Sequence, residues 1–422
     1  MDLIFAEATP PGRGGVSVIR LSGDGARSAA ETLAGPLRLP RHAYFRALRH
    51  EREVLDQALV LWFENGKSFT GEESAELHLH GAPVVARRVA RSLITLGARP
   101  AEAGEFTRRS FINGRMDLAE IEGLGDLLAA ETELQRKQAL LVASGHLTQR
   151  VDAWRNMLIR AGGLTESSID FADEEVPEEV PAEVYALANE LEDQISGEIQ
   201  GFAAAEQILR GFEVAIVGPP NAGKSSLMNA LARREVALVS EIAGTTRDVI
   251  ELRLELDGMA VTFLDTAGIR DADEEIERLG VERARLRALG ADLRIHLGCG
   301  RGGVEGLWRD GDILATSKSD QDLEGEGIRI SAQTGDGLSG LIKEVTNALG
   351  SRVTGAGLVS HERQLSELLV AKAALATIRR EDRPEVVAEH LRAAASGLDR
   401  IVGRIDADDY LDVVFSSFCI GK

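Results

Sequence analysis

Eight residues constrain this chain more than any others. Gly218-Pro219-Pro220-Asn221-Ala222-Gly223-Lys224-Ser225 has the spacing G-x-x-x-x-G-K-S, and it lies between the apolar run 212–217 and the helical pattern that begins at Ser225. Strand, glycine-rich loop and helix in that order predict a parallel α/β domain. Its successive backbone N–H groups face phosphates, and the helix N-terminus adds positive potential. The contact set read from the loop is Asn221, Ala222, Gly223, Lys224, Ser225 and Ser226. Lys224 would meet the β- and γ-phosphate oxygens and Ser225 would ligate Mg²⁺. Residues 212–350 alternate strand and helix patterns throughout, as such a domain requires.

Downstream segments narrow the nucleotide. An apolar strand over 261–264 ends at Asp265-Thr266-Ala267-Gly268, where Asp265 would hold Mg²⁺ through water and the Gly268 N–H would sense the γ-phosphate. Between the two motifs lies Ser240-Glu241-Ile242-Ala243-Gly244-Thr245-Thr246, with Thr246 placed as a switch threonine that completes the metal shell only while the γ-phosphate is present. Lys318-Ser319-Asp320 and Ser331-Ala332 select the base. The Asp320 carboxylate can accept from guanine N1–H and the 2-amino group, and the Ala332 N–H can donate to O6, so the nucleotide is GTP. Ser317 stands where most GTPases carry Asn or Thr, and is expected to lose some supporting hydrogen bonds and weaken affinity, with Asp320 preserving the guanine preference. Ile269 follows the D-x-x-G segment where many GTPases place a water-orienting Gln. Another group must therefore orient the water and another cation must stabilise the transferred charge. The Asn221 side-chain carbonyl could bind a monovalent cation beside the phosphates, with Ser240–Thr246 closing over it through backbone oxygens.

At 422 residues the chain exceeds one core, and two or three domains are expected. The first ~115 residues read as α+β, with strands over 3–6, 16–21, 58–63 and 74–80. Helical periodicity starts after Asp117, whose spacing to Glu120 is that of a capping box. It recurs through Leu147, Val151, Trp154 and Leu158, and through Val184, Leu187, Leu191 and Ile195, with an acidic Pro-containing connection over 173–183. After residue 355 it returns, with Leu365, Leu368, Leu369, Ala373 and Ala376 on one face and a further helix opened by Pro384. An α/β domain flanked by helices on both sides suggests an insertion into one helical bundle. The expected division is 1–116, 117–210, 211–352 and 353–422.

No apolar run reaches the ~20 residues of a membrane span, and no signal peptide opens the chain. Two cysteines, Cys299 and Cys419, suit a reducing compartment, so the expected location is the cytoplasm. Forty-eight Lys+Arg against 68 Asp+Glu give a net charge of −20, which argues against a tight nucleic-acid grip by this chain alone. His78 and His80 share a strand face without a clear third ligand, so no zinc is assigned.

The chain resembles the MnmE (TrmE) family of bacterial tRNA-modification GTPases along nearly its whole length. The matching stretches are 8–15, Ser68-Phe69-Thr70-Gly71-Glu72, Gly104-Glu105-Phe106-Thr107, 113–118, Ile169-Asp170-Phe171, the GTPase motifs and the terminal segment 415–422 ending Cys419-Ile420-Gly421-Lys422. The resemblance implies an N-terminal folate-binding domain, a discontinuous helical domain and an inserted GTPase domain. It implies a homodimer joined through the N-terminal domains, with GTPase domains meeting when K⁺ and the transition state bind. By position it implies K⁺ ligands from Asn221, Ser240, Ile242 and Thr245, and a water-positioning role for Glu277. It places a tetrahydrofolate derivative (5-formyl or methylene) on Arg20, Glu76, Arg115 and Lys422, and gives Cys419 a part in the chemistry. The implied function is modification of C5 of the tRNA wobble uridine with an FAD-dependent partner, MnmG, that supplies most of the tRNA-binding surface. A ribosome-assembly GTPase switch and a stand-alone folate one-carbon transferase are the rivals.

Overall fold

Alternation of apolar and polar residues builds the first sheet. In Ser74–His80 the residues Ala75, Leu77 and Leu79 point to one side and are almost fully buried, while Glu76, His78 and His80 point to the other. The computed structural model describes residues 1–170, 180–234, 251–265, 284–300, 304–321 and 325–405. By contacts the chain divides into two units: residues 1–125, 148–153 and 395–422, and residues 126–147 and 154–394.

The first unit holds strands β1 (Ile4–Glu7), β2 (Val16–Ser22), β3 (Tyr44–His50), β4 (Glu53–Phe63), β5 (Ser74–His80) and the two-residue β6 (Arg99–Pro100) in the order β3-β4-β5-β2-β1-β6. All neighbours are antiparallel except β1 and β6. Helices α1 (Ala26–Ala34) and α2 (Pro83–Thr95) cover one face, and Leu33, Val89 and Leu93 join Ile19, Val60, Trp62 and Leu77 in its core. Fully burying each such side chain contributes about 1.5–3 kcal/mol. The opposite face carries α3 (Glu105–Ile112) at one end, through Phe106 on Ile4 and Ala6. The β4 strand begins at Glu53, before the apolar run that signals it. The expected capping box at α4 (Leu118–Ala129) is present: Asp117 N–H donates to Glu120 at 2.9 Å, and Glu120 N–H to Asp117 at 2.8 Å.

The second unit contains a doubly wound sheet of β7 (Phe212–Val217), β8 (Glu251–Leu256), β9 (Met259–Asp265), β10 (Leu293–Leu297), β11 (Ile313–Thr316) and β12 (Ile328–Arg329), ordered β12-β11-β10-β7-β9-β8. Only β8 runs antiparallel to its neighbour. Helices α8 (Lys224–Arg234) and α9 (Leu338–Gly350) bury Leu227, Leu231, Leu341 and Val345 against one face, and Ala288 and Ala291 cover the other. The long helices of this unit follow from the sequence periodicities: α5 (Glu133–Ala143), α6 (His146–Asp170), α7 (Ala182–Arg210), α10 (Glu362–Ala376) and α11 (Pro384–Ile401). Helix α10 packs along α7, joining segments on either side of the α/β sheet. Its buried face corrects the expected one. Leu368 is buried, but Leu369 is 48% exposed, and the inward residues are Gln364, Glu367, Leu368, Ala371 and Leu375. Gln364 turns inward because its amide oxygen accepts the Ser360 N–H at 3.2 Å. Among the described residues no helix is long and apolar enough to cross a membrane.

Candidate functional site

Five loops converge at the carboxyl ends of parallel strands, the edge where open α/β sheets bind ligands. The glycine-rich loop follows β7, Asp265 closes β9, Gly298 follows β10, Ser317 and Lys318 follow β11, and Ser331 lies just beyond β12. Gly218 admits no side chain, because a Cβ there would lie 2.2 Å from the Leu297 carbonyl oxygen. Asn221 takes the left-handed backbone, at φ 65°, which turns the loop back toward Lys224. The buried Lys224 ammonium donates to the carbonyls of Gly218 at 2.9 Å and Pro219 at 3.0 Å, which hold it at the mouth of the loop.

Ser225 Oγ donates to Asp265 Oδ2 at 2.7 Å. The second oxygen, Asp265 Oδ1, is buried without a hydrogen-bond partner. A hydroxyl beside an unsatisfied carboxylate oxygen is the donor set of a hard divalent cation, so these two residues fit Mg²⁺. Asn221 contributes differently. Its backbone carbonyl accepts from Lys318 Nζ at 3.3 Å, while its side chain is exposed.

At the other end of the cleft, Ser331 Oγ donates to Asp320 Oδ1 at 2.6 Å and accepts the Thr334 N–H at 3.2 Å. Asp320 is thereby aimed, with Oδ2 left for a ligand. Ala332, the next residue, is half-buried beside this pair, and Ser226 lies in the first turn of α8. Ser317 keeps one supporting hydrogen bond. Its hydroxyl donates to the Ala222 carbonyl at 2.5 Å, so the base-side loop and the phosphate loop remain joined. Gly223 lies beside it with φ 95°, a backbone conformation that favours glycine.

Behind the cleft lies a buried group that sequence reasoning missed. Arg294 Nε donates to Asp312 Oδ2 at 2.8 Å, and His296 Nε2 lies 3.1 Å from the same oxygen. Val304 N–H donates to His296 Nδ1 at 3.0 Å, which leaves Nε2 as the protonated nitrogen of a neutral ring. Burial pushes the His296 pKa down, with the Asp312 carboxylate opposing it. Asp312 is held below its usual range: burial pushes up, and hydrogen bonds from Arg294, Arg309 and His296 outweigh it. The available signal was Arg294 and His296 alternating with Leu293, Ile295 and Leu297 in a strand buried at every position. Cys299, at the end of that strand, is half-buried, and burial raises its thiol pKa against the pull of Lys224.

The open face of the first sheet holds a cavity of about 170 Å³ whose lining includes Arg20, Phe69, Thr70 and Glu76. Arg20 Nε donates to Glu76 Oε1 at 3.1 Å, His78 Nε2 lies 3.0 Å from Glu76 Oε2, and the Arg20 guanidinium sits 5.8 Å from the Phe69 ring centroid. Each Glu76 oxygen keeps a lone pair for a further donor. Arg115 is exposed with its stem beside Gly71, outside the cavity lining. His80 Nδ1 pairs separately with Asp56 Oδ1 at 2.7 Å.

Several expected site residues lie outside the described residues: Ser240, Glu241, Ile242, Ala243, Gly244, Thr245, Thr246, Thr266, Ala267, Gly268, Ile269, Glu277, Cys419 and Lys422.

Known proteins resemble the chain along its length. The family described as the GTP-binding protein TrmE N-terminus matches residues 3–115, and the MnmE helical domain family matches residues 118–419. The tRNA modification GTPase MnmE of Paracoccus denitrificans is 55% identical over 426 residues, covering 100% of both chains. Proteins of the same name from Cereibacter sphaeroides and Maricaulis maris are 50% and 45% identical, covering 100% and 99% of this chain and the same shares of their own.

Proposed function

We propose that this chain, which belongs to the MnmE family, is a K⁺-dependent GTPase that modifies C5 of the tRNA wobble uridine with an FAD-dependent, MnmG-like partner. The product would be an aminomethyl or carboxymethylaminomethyl group, with a tetrahydrofolate derivative supplying the one-carbon unit. We assign residues 1–116 to folate binding and homodimer formation, 117–210 and 353–422 to the helical domain, and 211–352 to the GTPase domain. The protein would work in the cytoplasm, with tRNA held mainly through its partner.

One observation carries the GTPase reading: the Ser225–Asp265 pair, with its unsatisfied buried oxygen, at the foot of the loop that cradles Lys224. Bound Mg²⁺ supplies charge neutralisation on the phosphate oxygens. The chain's own residues do the rest. Loop N–H groups and Lys224 hold the phosphates, and Asp320, aimed by Ser331, selects guanine. We place K⁺ on Asn221, whose left-handed backbone sets its side chain at the loop's edge, together with Ser240, Ile242 and Thr245. Glu277 would orient the attacking water in place of the glutamine that Ile269 replaces. In the N-terminal cavity the volume suits a ring-sized group. Glu76 can accept a pterin's N–H donors, Phe69 can stack, and Arg20, Arg115 and Lys422 can meet its oxygens. Cys419 is assigned to the modification chemistry.

Replacing K⁺ by Na⁺ tests the cation assignment. Steady-state GTP hydrolysis should fall by about tenfold or more, and equal rates in the two salts would remove the monovalent-cation site.

A further inference from the structure

The net charge of −20 is not spread evenly. Residues 1–116 carry 16 Lys+Arg against 13 Asp+Glu, and the rest of the chain carries 32 against 55. Within this basic region no acid occurs between Glu76 and Glu102, a stretch that holds Arg87, Arg88, Arg91 and Arg99. Helix α2 takes three of those arginines. Its inward face is Ala86, Val89, Ser92 and Leu93, all buried against the sheet. Arg87 and Arg91 are four residues apart on the outward face, about 5–6 Å between Cβ atoms, and both are exposed. Neither guanidinium has a hydrogen bond or ion pair among the described residues, whereas that of Arg88 is committed to Glu53 at 2.6 Å.

We propose that the outward face of α2, through Arg87 and Arg91, contacts the phosphate backbone of tRNA. This rests on the reading that tRNA is the substrate. Two unpaired guanidiniums on one rigid helix face meet two phosphates without first breaking ion pairs, and the bidentate guanidinium suits phosphate oxygens. A sequence-independent contact of this kind positions the RNA and leaves base recognition elsewhere. Val84 (64% exposed) and Ile94 (52% exposed) flank the two arginines on this face, so binding to an anionic lipid surface is the competing outcome that the test separates.

The test uses the full-length protein and an unmodified tRNA transcript, with binding followed by fluorescence anisotropy from 50 to 200 mM salt. The double variant Arg87→Glu/Arg91→Glu should bind roughly tenfold more weakly, with a slope of log affinity against log salt shallower by about two. Arg87→Lys/Arg91→Lys should keep most of the slope, and GTP hydrolysis without tRNA should be unchanged in both. No binding by the unaltered protein, or equal binding by the Glu variant, overturns the proposal. So does a variant that loses phosphatidylserine vesicles and keeps tRNA. The substrate reading is tested separately by tRNA nucleoside composition, so the two can fail independently.

Discussion

Asp265 has one oxygen engaged by Ser225 and the other buried without a partner, an arrangement that costs stability until a cation fills it. Asp265→Asn should therefore remove Mg²⁺-dependent hydrolysis, by about a hundredfold or more in kcat, while leaving the fold intact by circular dichroism. In the proposed site Ser331 acts through Asp320, to which its hydroxyl donates. Losing one neutral-to-charged hydrogen bond costs about 1.5–3 kcal/mol, so Ser331→Ala should weaken GTP binding by about tenfold or more, with hydrolysis of bound nucleotide nearly unchanged. Equal affinity in a titration with a fluorescent GTP analogue would contradict the aiming role. His296 bears on pH. Its folded pKa lies below its ordinary value, so on acidification the unfolded chain takes up the proton first. Stability should fall as pH drops through about 6.5, and His296→Gln should reduce the difference in Tm between pH 7.5 and pH 5.5. These residues differ in how readable they were. The positions of the phosphate loop, Asp265 and Asp320 at the ends of their strands follow from spacing alone. The Ser317–Ala222 bond did not, because it joins two loops 95 residues apart in sequence.

Helix α7 offers an element-scale contrast in two glycines. Gly197 is exposed and a Cβ there would meet nothing within 4 Å, so Gly197→Ala should stabilise by about 0.5–1 kcal/mol through backbone entropy. At the buried Gly201 a Cβ would lie 2.6 Å from the Gly357 nitrogen and 2.9 Å from the Gly355 oxygen. Gly201→Ala should instead destabilise, by about 1–3 kcal/mol, seen as opposite shifts of the urea midpoint. The loop at 355–358 is held there by Gln138 Nε2 donating to the Gly357 carbonyl at 2.7 Å and Leu358 N–H donating to Glu198 Oε2 at 2.8 Å. Periodicity located α7, α10 and α11 well but misread the inward face of α10. Hydrophobicity alone cannot anticipate a buried Gln364 whose amide is satisfied by the turn before it. The strands with clean alternation were legible. The amino end of β4 was not, since Glu53 to Asp56 carry no such pattern.

For the whole molecule, the order of patterns along the chain gave four strands of the first sheet, without β3 or β6, and the α/β alternation of the second with helices on either side, and α10 packing on α7 is the long-range contact that this order anticipates. Net charge was the poorer guide, because one number for the chain conceals a basic first 116 residues. In the proposed function, nucleotide turnover in the second unit serves tRNA modification. Its most direct test is the nucleoside composition of tRNA from a strain lacking this gene, complemented with the intact chain or with the Asp265→Asn variant. The account predicts that the C5 group of the wobble uridine disappears on deletion, returns with the intact chain and stays absent with the variant. An unaltered nucleoside profile on deletion would contradict it.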